Sequence, residues 1–347
     1  MIRFPKILRI TAPALAAFLS VGCSHDAPRL NAAPTDSAGA AASAEAAAPQ
    51  AVVSPADQAP PASQTGGFDG ARAYDFTAKL VSFGPHPPDT DAMRRTQAYI
   101  VSELKSFGCA VDTDDFHASS PMGSLAMENI IAKIPGSGQG IILLLTHYDT
   151  LRLANFVGAD DSGSSSGLML EMARLLCTEK KQQPDAVWIV FLDGEEDQQN
   201  FETAQQAQTT WNDDDTLFGS RELAARLAVS GDLKRVHAII LADMIGQKNL
   251  QLPRDTGSTK WLTDLVWNTA DRLGYQNVFV ARDYGPIGDD HTPFIKRGVS
   301  AVDIIDLDGY QYWHTIQDTM DKLSPRSMAI VGFVILESVH ELQKRFP

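Results

Sequence analysis

Val187-Trp-Ile-Val-Phe-Leu-Asp-Gly-Glu-Glu196 carries more structural information than any other stretch of the chain. A short apolar run containing Val and aromatics reads as a buried strand, and it ends in three carboxylates. Gly194 lets the backbone turn sharply at the strand end. Glu195 and Glu196 then point in different directions, so one carboxylate can hold a metal while the other moves a proton. Alone, the same letters also fit a solvated acidic loop. Recurrence argues against that. Ile141-Ile-Leu-Leu-Leu-Thr-His147-Tyr-Asp149 and Ala238-Ile-Ile-Leu-Ala-Asp243-Met-Ile-Gly246 end in the same way, and Val299-Ser-Ala-Val-Asp-Ile-Ile305 leads through a loop to Trp313-His314-Thr315. Helical patterns separate these runs, which predicts an α/β fold with a largely parallel sheet. Ligand sites in such sheets lie beyond the carboxyl ends of the strands, so His147, Glu195, Glu196, Asp243 and His314 are expected to converge there. Gly158-Ala-Asp160-Asp161-Ser-Gly163 adds two carboxylates to the same rim.

The amino terminus sets an address. Arg3, Lys6 and Arg9 precede a short apolar stretch at 10–19, and Val21-Gly22-Cys23 follows. Residues 1–23 read as a signal peptide, too short to span a bilayer. The Gly-Cys pair resembles a bacterial lipoprotein signal, with Ser20 standing where an aliphatic residue is usual. The expectation is export, as a periplasmic or cell-envelope lipoprotein attached to the membrane through acylated Cys23. Ordinary cleavage nearby, giving a secreted protein, is the alternative. Residues 24–67 are rich in Ala, Pro, Ser and Gln and poor in large apolar side chains, so they are expected to form a disordered tether. Residues 68–347 are long enough for one domain with a sizeable core. The net charge is −14 and there is no basic stripe, which excludes nucleic acid as an expected partner. Cys109 and Cys177 sit in no Cys-x-x-Cys or Cys/His grouping, so thiolate catalysis is disfavoured. Two separate buried thiols are the favoured reading, with a disulfide as the alternative in an oxidising compartment.

Apolar spacing predicts helices at 68–83, 91–107, 164–176, 219–229, 258–273 and 325–344. Strands are predicted at 109–116 and 127–134, as an antiparallel edge, and at 141–147, 187–193, 237–243, 277–281 and 299–305. The interval 197–216 is long, polar and Gln-rich, and a loop of that length beside a candidate site is usually functional or mobile.

His147, Asp161, Glu196, Asp243 and His314 are ligands suited to Zn²⁺. At these residues the chain resembles the M28 metallopeptidase clan, which has the zinc aminopeptidase fold. His147-Tyr-Asp149, Gly158-Ala-Asp160-Asp161-Ser-Gly163, Asp193-Gly-Glu195-Glu196, Asp243-Met-Ile-Gly246, Asp290-His291 and His314 carry the resemblance in order across the globular region. It implies three α/β/α layers around a mixed, mostly parallel sheet. Within the clan the closer resemblance is to the glutaminyl cyclases. Asp289-Asp-His-Thr-Pro-Phe294 is similar to their Asp-Asp-His-x-Pro-Phe segment, whereas clan aminopeptidases commonly have Ser at the place of Asp289. Trp313-His314-Thr315, Trp211 with the trailing Asp215-Thr-Leu-Phe-Gly-Ser-Arg221, and Asp318-Thr-Met-Asp321 continue the likeness.

That resemblance implies one zinc per chain, held by Asp161, Glu196 and His314. It implies peptide or protein N-termini as substrates, with N-terminal Gln cyclised to pyroglutamate and zinc polarising the γ-amide. Glu195 would shuttle the proton, and Asp243 and Asp289 would complete a carboxylate network with it. Trp211 and Trp313 would wall the pocket, with Tyr310 as a further aromatic. Asp289 could instead cap the helix beginning near Thr292. His291 is expected to hydrogen-bond behind the site rather than to bind metal. The chain departs from the animal cyclases at Gly288, where they carry Gln, at Thr146, where their Cys pair is missing, and in the longer Glu196–Trp211 interval. The rival reading is a two-zinc aminopeptidase. There His147 and Asp243 hold a second zinc beside Asp161, and Glu195 activates water for hydrolysis. A non-catalytic binding protein on the same fold would predict loss of Glu195 or a ligand, and neither is lost.

Overall fold

In the computed structural model, which describes residues 53–179, 183–210 and 212–346, a six-stranded sheet frames the molecule. Strands β1 (Ala110–Ser120), β2 (Gly123–Ile134), β3 (Ile141–His147), β4 (Ala186–Leu192), β5 (Val236–Ala242) and β8 (Ala301–Ile304) lie in the order β1-β2-β4-β3-β5-β8. The four strands from β4 to β8 are parallel, and β1 and β2 form the antiparallel edge that their sequence predicted. Two strands, β6 (Leu252–Asp255) and β7 (Phe279–Gly285), pair in a separate small sheet. The 277–281 strand was expected in the main sheet. It is displaced because β7 is largely exposed and lacks the continuous apolar run that burial on both faces requires.

The helices are α1 (Gly70–Val81), α2 (Asp91–Ser106), α3 (Ser165–Thr178), α4 (Ala204–Thr209), α5 (Phe218–Ser230), α6 (Lys260–Arg272), α7 (Thr292–Ile295) and α8 (Pro325–Arg345). Alternation along the strands splits the core into two. Ile142 and Leu144 of β3 face a layer built by α1, α2, α3, α6 and α8, while Ile141, Leu143 and Leu145 face Leu223, Ala224 and Leu227 of α5 and Phe294 of α7. This is the three-layer arrangement. Each fully buried aliphatic side chain contributes about 1.5–3 kcal/mol, so β3 anchors both cores. Helix starts follow local chemistry. Asp69 accepts the N–H groups of Ala71 and Arg72 before α1, and Thr90 accepts that of Met93 before α2.

Register places the site. His147 lies opposite Leu192, and Ala242 opposite Ile304, so the carboxyl ends of neighbouring parallel strands finish level. The chain order reverses at β3, with β4 on one side and β5 on the other, and a crevice opens at such a switch point.

Two expectations are corrected. The tether does not extend to residue 67. Short 3₁₀ turns at Pro55–Asp57 and Ala62–Gln64 pack on the domain, Thr65 is fully buried, and Lys248 pairs with Asp57 at 3.8 Å. Val53 contacts the larger core although the stretch is Ala- and Pro-rich, because a few well-placed contacts with α8 order it. The signal segment 1–23 and tether residues 24–52 lie outside the described residues. Cys109 and Cys177 form a disulfide with a Cα–Cα distance of 5.3 Å, not two separate thiols. Cys109 begins the approach to β1 and Cys177 lies in the last turn of α3. Packing of α2 on α3 brings them within bridging distance, which sequence spacing does not encode. Among the described residues no helix is long and apolar enough to cross a membrane.

Candidate metal centre and active site

Each strand end delivers its side chain through a turn built for it. Gly194 has φ +70°, and a Cβ there would lie 2.7 Å from the Met127 sulfur, so glycine is required where β4 turns into Glu195. Asp149, just beyond β3, accepts the N–H groups of Glu195 at 3.1 Å and Glu196 at 3.3 Å, and lies 3.5 Å from His147 Nδ1. One buried carboxylate thus orients a histidine and the two-glutamate turn together. Asp318 does the same for the 158–163 segment. It accepts the N–H groups of Asp160 and Asp161 at 2.9 and 3.2 Å, and the Tyr310 hydroxyl donates to it. Asp160 in turn accepts the Gly246 N–H at 2.7 Å, tying this segment to the turn after Asp243.

The expected ligands converge. His147 Nε2 is 3.3 Å from Asp161 Oδ1 and 3.2 Å from Asp243 Oδ1. His314 Nε2 is 3.6 Å from Asp161 Oδ2 and 3.1 Å from Glu196 Oε2. Asp161 therefore offers one oxygen to each of two three-residue half-sites. The Leu151 N–H holds Glu196 Oε1 at 3.1 Å, leaving Oε2 to face His314. Asp161 Oδ2 and Glu196 Oε2 are buried and accept no hydrogen bond.

Electrostatics point to a cation. Burial, then the neighbouring Asp161, pushes Glu196 up to about 8. Burial, then Asp289 and Glu196, holds Glu195 well above the usual carboxylate range, against the opposing pull of His147. Burial pushes Asp289 up to about 6, with Asp243 adding to it. Burial favours neutral His147 and His314, but the carboxylates facing them outweigh it and raise both. A buried carboxylate group of this density, with unpaired oxygens and no Lys or Arg paired to it among the described residues, fits a divalent cation. The two-carboxylate, one-histidine set of Asp161, Glu196 and His314 fits Zn²⁺.

The other expected residues divide. Trp313 stacks on the His314 ring at 4.0 Å between centroids, placing an aromatic face beside the Asp161–Glu196–His314 group. Asp289 is buried, and its Oδ1 accepts the Asp290 N–H rather than any N–H of α7. Tyr310, expected in the pocket wall, is 4% exposed and packs with Met244 and Ile305. Its hydroxyl donates to Asp318, the carboxylate that holds the Asp160 and Asp161 N–H groups. Trp211 lies outside the described residues. His291 is held behind the site, with Nε2 3.2 Å from Asp255.

Sequence reasoning missed Asp303, Asp255 and the holding roles of Asp149 and Asp318. Asp303 lies in β8, 4.0 Å from His291 Nδ1, and burial first, then Asp289, pushes it well above its ordinary range. A carboxylate inside the apolar run 299–305 was the available signal. His291 Nε2 and Asp303 flank Asp255 in a third residue grouping of metal-binding type. Asp255 is already saturated by the Gly257 and Ile287 N–H groups, the Ser258 hydroxyl and His291.

Comparison with known proteins agrees with this geometry. Residues 129–339 match the family model described as peptidase family M28. The glutaminyl-peptide cyclotransferase-like protein of Mus musculus is 30% identical over 271 residues, 69% of this chain and 67% of that one. The crystal structure of an Acidobacteriales bacterium glutaminyl cyclase superposes with a TM-score of 0.73 at 36% identity, covering 80% of this chain and 96% of that one. A Zn-dependent exopeptidase from Parabacteroides distasonis superposes with a TM-score of 0.70 at 28% identity, covering 78% and 97%.

Proposed function

The chain belongs to peptidase family M28 and, within it, to the glutaminyl cyclases, and from that membership we propose that it converts N-terminal Gln of peptides to pyroglutamate with release of ammonia. N-terminal Glu would react more slowly, with release of water. The observation that carries the reading is the buried acid group of Glu195, Asp243 and Asp289 set beside Trp313 on His314. Asp289 is the member of this group that favours cyclisation over hydrolysis, because clan aminopeptidases commonly have Ser in its place.

When bound by Asp161, Glu196 and His314, zinc supplies Lewis acidity to the γ-carbonyl of the substrate. Glu195 lies 4.0 Å from His147 Nδ1 and is 7% exposed, so it is reachable from the crevice but mostly shielded from water. It accepts the proton of the α-amine as that nitrogen attacks the γ-carbon. It returns the proton to the amide nitrogen as the C–N bond breaks and ammonia leaves. Burial first, then the negative charge of Asp289 and Glu196, raises the proton affinity of Glu195 toward that needed for both steps. Trp313 limits the pocket to a small side chain.

One observation favours the second reading, a two-zinc aminopeptidase. Asp161 faces both His147 and His314, and the His147–Asp161–Asp243 half-site is complete. A paired assay on zinc-quantified protein separates the two. Loss of ammonia from a Gln-Ala-type peptide with the peptide bond intact, and about one zinc per chain, supports the cyclase. Release of free Leu from a Leu-Ala-type peptide with about two zincs per chain refutes it. We also propose export, with Cys23 as the acylation site. The Cys109–Cys177 bond, which persists in oxidising compartments, supports it.

A further inference from the structure

The 197–216 interval was singled out by its length and polarity, and the proposed reaction does not use its described part. Its path is informative. The Gln198 N–H donates to Asp215 O at 3.0 Å, and the Leu217 N–H donates to Glu195 O at 3.0 Å. The two ends of the excursion therefore touch, and a two-residue link could join them without moving Glu196 or α5. An excursion that the chain path does not need has another use.

Phe201 is 4% exposed and packs with Leu151, Leu153, Phe156 and Ala207, while its N–H donates to Arg152 O at 3.1 Å. This anchor carries α4, whose first turn is capped by Thr203 on the Gln206 N–H. The last four carbonyls of a helix have no partner within it. One of them, Ala207 O, lies 3.3 Å from His314 Nδ1. The next residue, Gln208, donates from Nε2 to Trp313 O at 2.6 Å. Two consecutive residues of α4 thus hold two consecutive residues of the last loop. A carbonyl that accepts a hydrogen bond from Nδ1–H keeps the proton on Nδ1 and leaves the Nε2 lone pair facing Asp161 and Glu196.

We propose that the Phe201-anchored segment 198–210 is a positioning element of the metal centre, with Ala207 O fixing the His314 tautomer and Gln208 fixing the Trp313 wall. The inference rests on the zinc and pocket assignments above, but its test is read partly without turnover. Zinc affinity is measured by chelator competition, with no substrate present. Releasing the anchor with Phe201→Ala is expected to weaken zinc binding about 10- to 100-fold, the range for losing the outer partner of a metal-bound histidine. Phe201→Leu should restore it. Gln208 is exposed, so Gln208→Ala folds. It should leave zinc affinity unchanged while raising KM roughly two- to tenfold, the worth of one hydrogen bond. Gln208→Lys, which keeps a donor, should restore KM. KM is read on whichever N-terminal peptide the chain turns over, so an aminopeptidase outcome refutes the proposed reaction without touching this inference. Wild-type zinc affinity in Phe201→Ala, or wild-type KM in Gln208→Ala, would overturn it. If Phe201→Ala does not fold, the Gln208 pair decides.

Discussion

Reducing the Cys109–Cys177 bond should destabilise the domain by an amount that its position sets. The bridge closes a 68-residue separation. Cross-linking removes denatured-chain entropy of about 2.1 + 1.5R ln n cal/mol/K, which for this loop amounts to about 4.4 kcal/mol at 25 °C. Spread over the unfolding entropy of a domain of this size, that corresponds to a fall in melting temperature of roughly 7 °C. Both cysteines are half-buried, so a phosphine reductant reaches them without chelating zinc as a dithiol would. The assay is thermal unfolding of zinc-quantified protein with and without reductant, with free thiols counted by mass. A Cys109→Ala, Cys177→Ala double variant should start from the lower midpoint and not respond to reductant. If two thiols are released and the midpoint does not move, the loop-entropy argument fails for this bridge.

Three further outcomes are expected. Glu195→Gln should keep zinc and lose about 10²- to 10⁴-fold in kcat, measured by ammonia release, and near-wild-type turnover would reassign the proton carrier. His314→Ala should lose zinc, as read by metal analysis after dialysis, because it removes the only histidine of the Asp161–Glu196–His314 group proposed to hold it. Glu128 belongs to none of the residue groups that could hold a metal, and burial, aided by Asp115, pushes it up to about 7 from 4.5. Between those values the folded protein keeps a proton that the unfolded chain has lost, so this group's contribution falls as pH rises through that window. Glu128→Gln should therefore melt above wild type at pH 8 and level with it at pH 4, and an unchanged difference across that range would contradict the assignment.

Much of the site was legible because the same local pattern repeats. An apolar run that ends in carboxylate or histidine places that side chain at a strand end whatever the sheet order, and His147, Glu196 and Asp243 follow from this alone. Asp161 and His314 were legible through their position between or after such runs and through the resemblance that named them. The Cys109–Cys177 bond was not legible, because it depends on how α2 packs against α3. Nor was the ordering of 53–67, where a weakly apolar segment gains its contacts from a distant helix.

By itself the sequence determined the strands and helices that alternate, the parallel sheet they build and the residue types at its rim, since periodicity and turn chemistry act over a few neighbours. Only the tertiary structure decided that Asp161 divides its oxygens between two histidines, that Tyr310 donates to Asp318 and that Ala207 reaches His314 across 107 residues of chain. Those are distances between segments remote in sequence. Close packing of side chains across layers fixes them, and no local pattern encodes them.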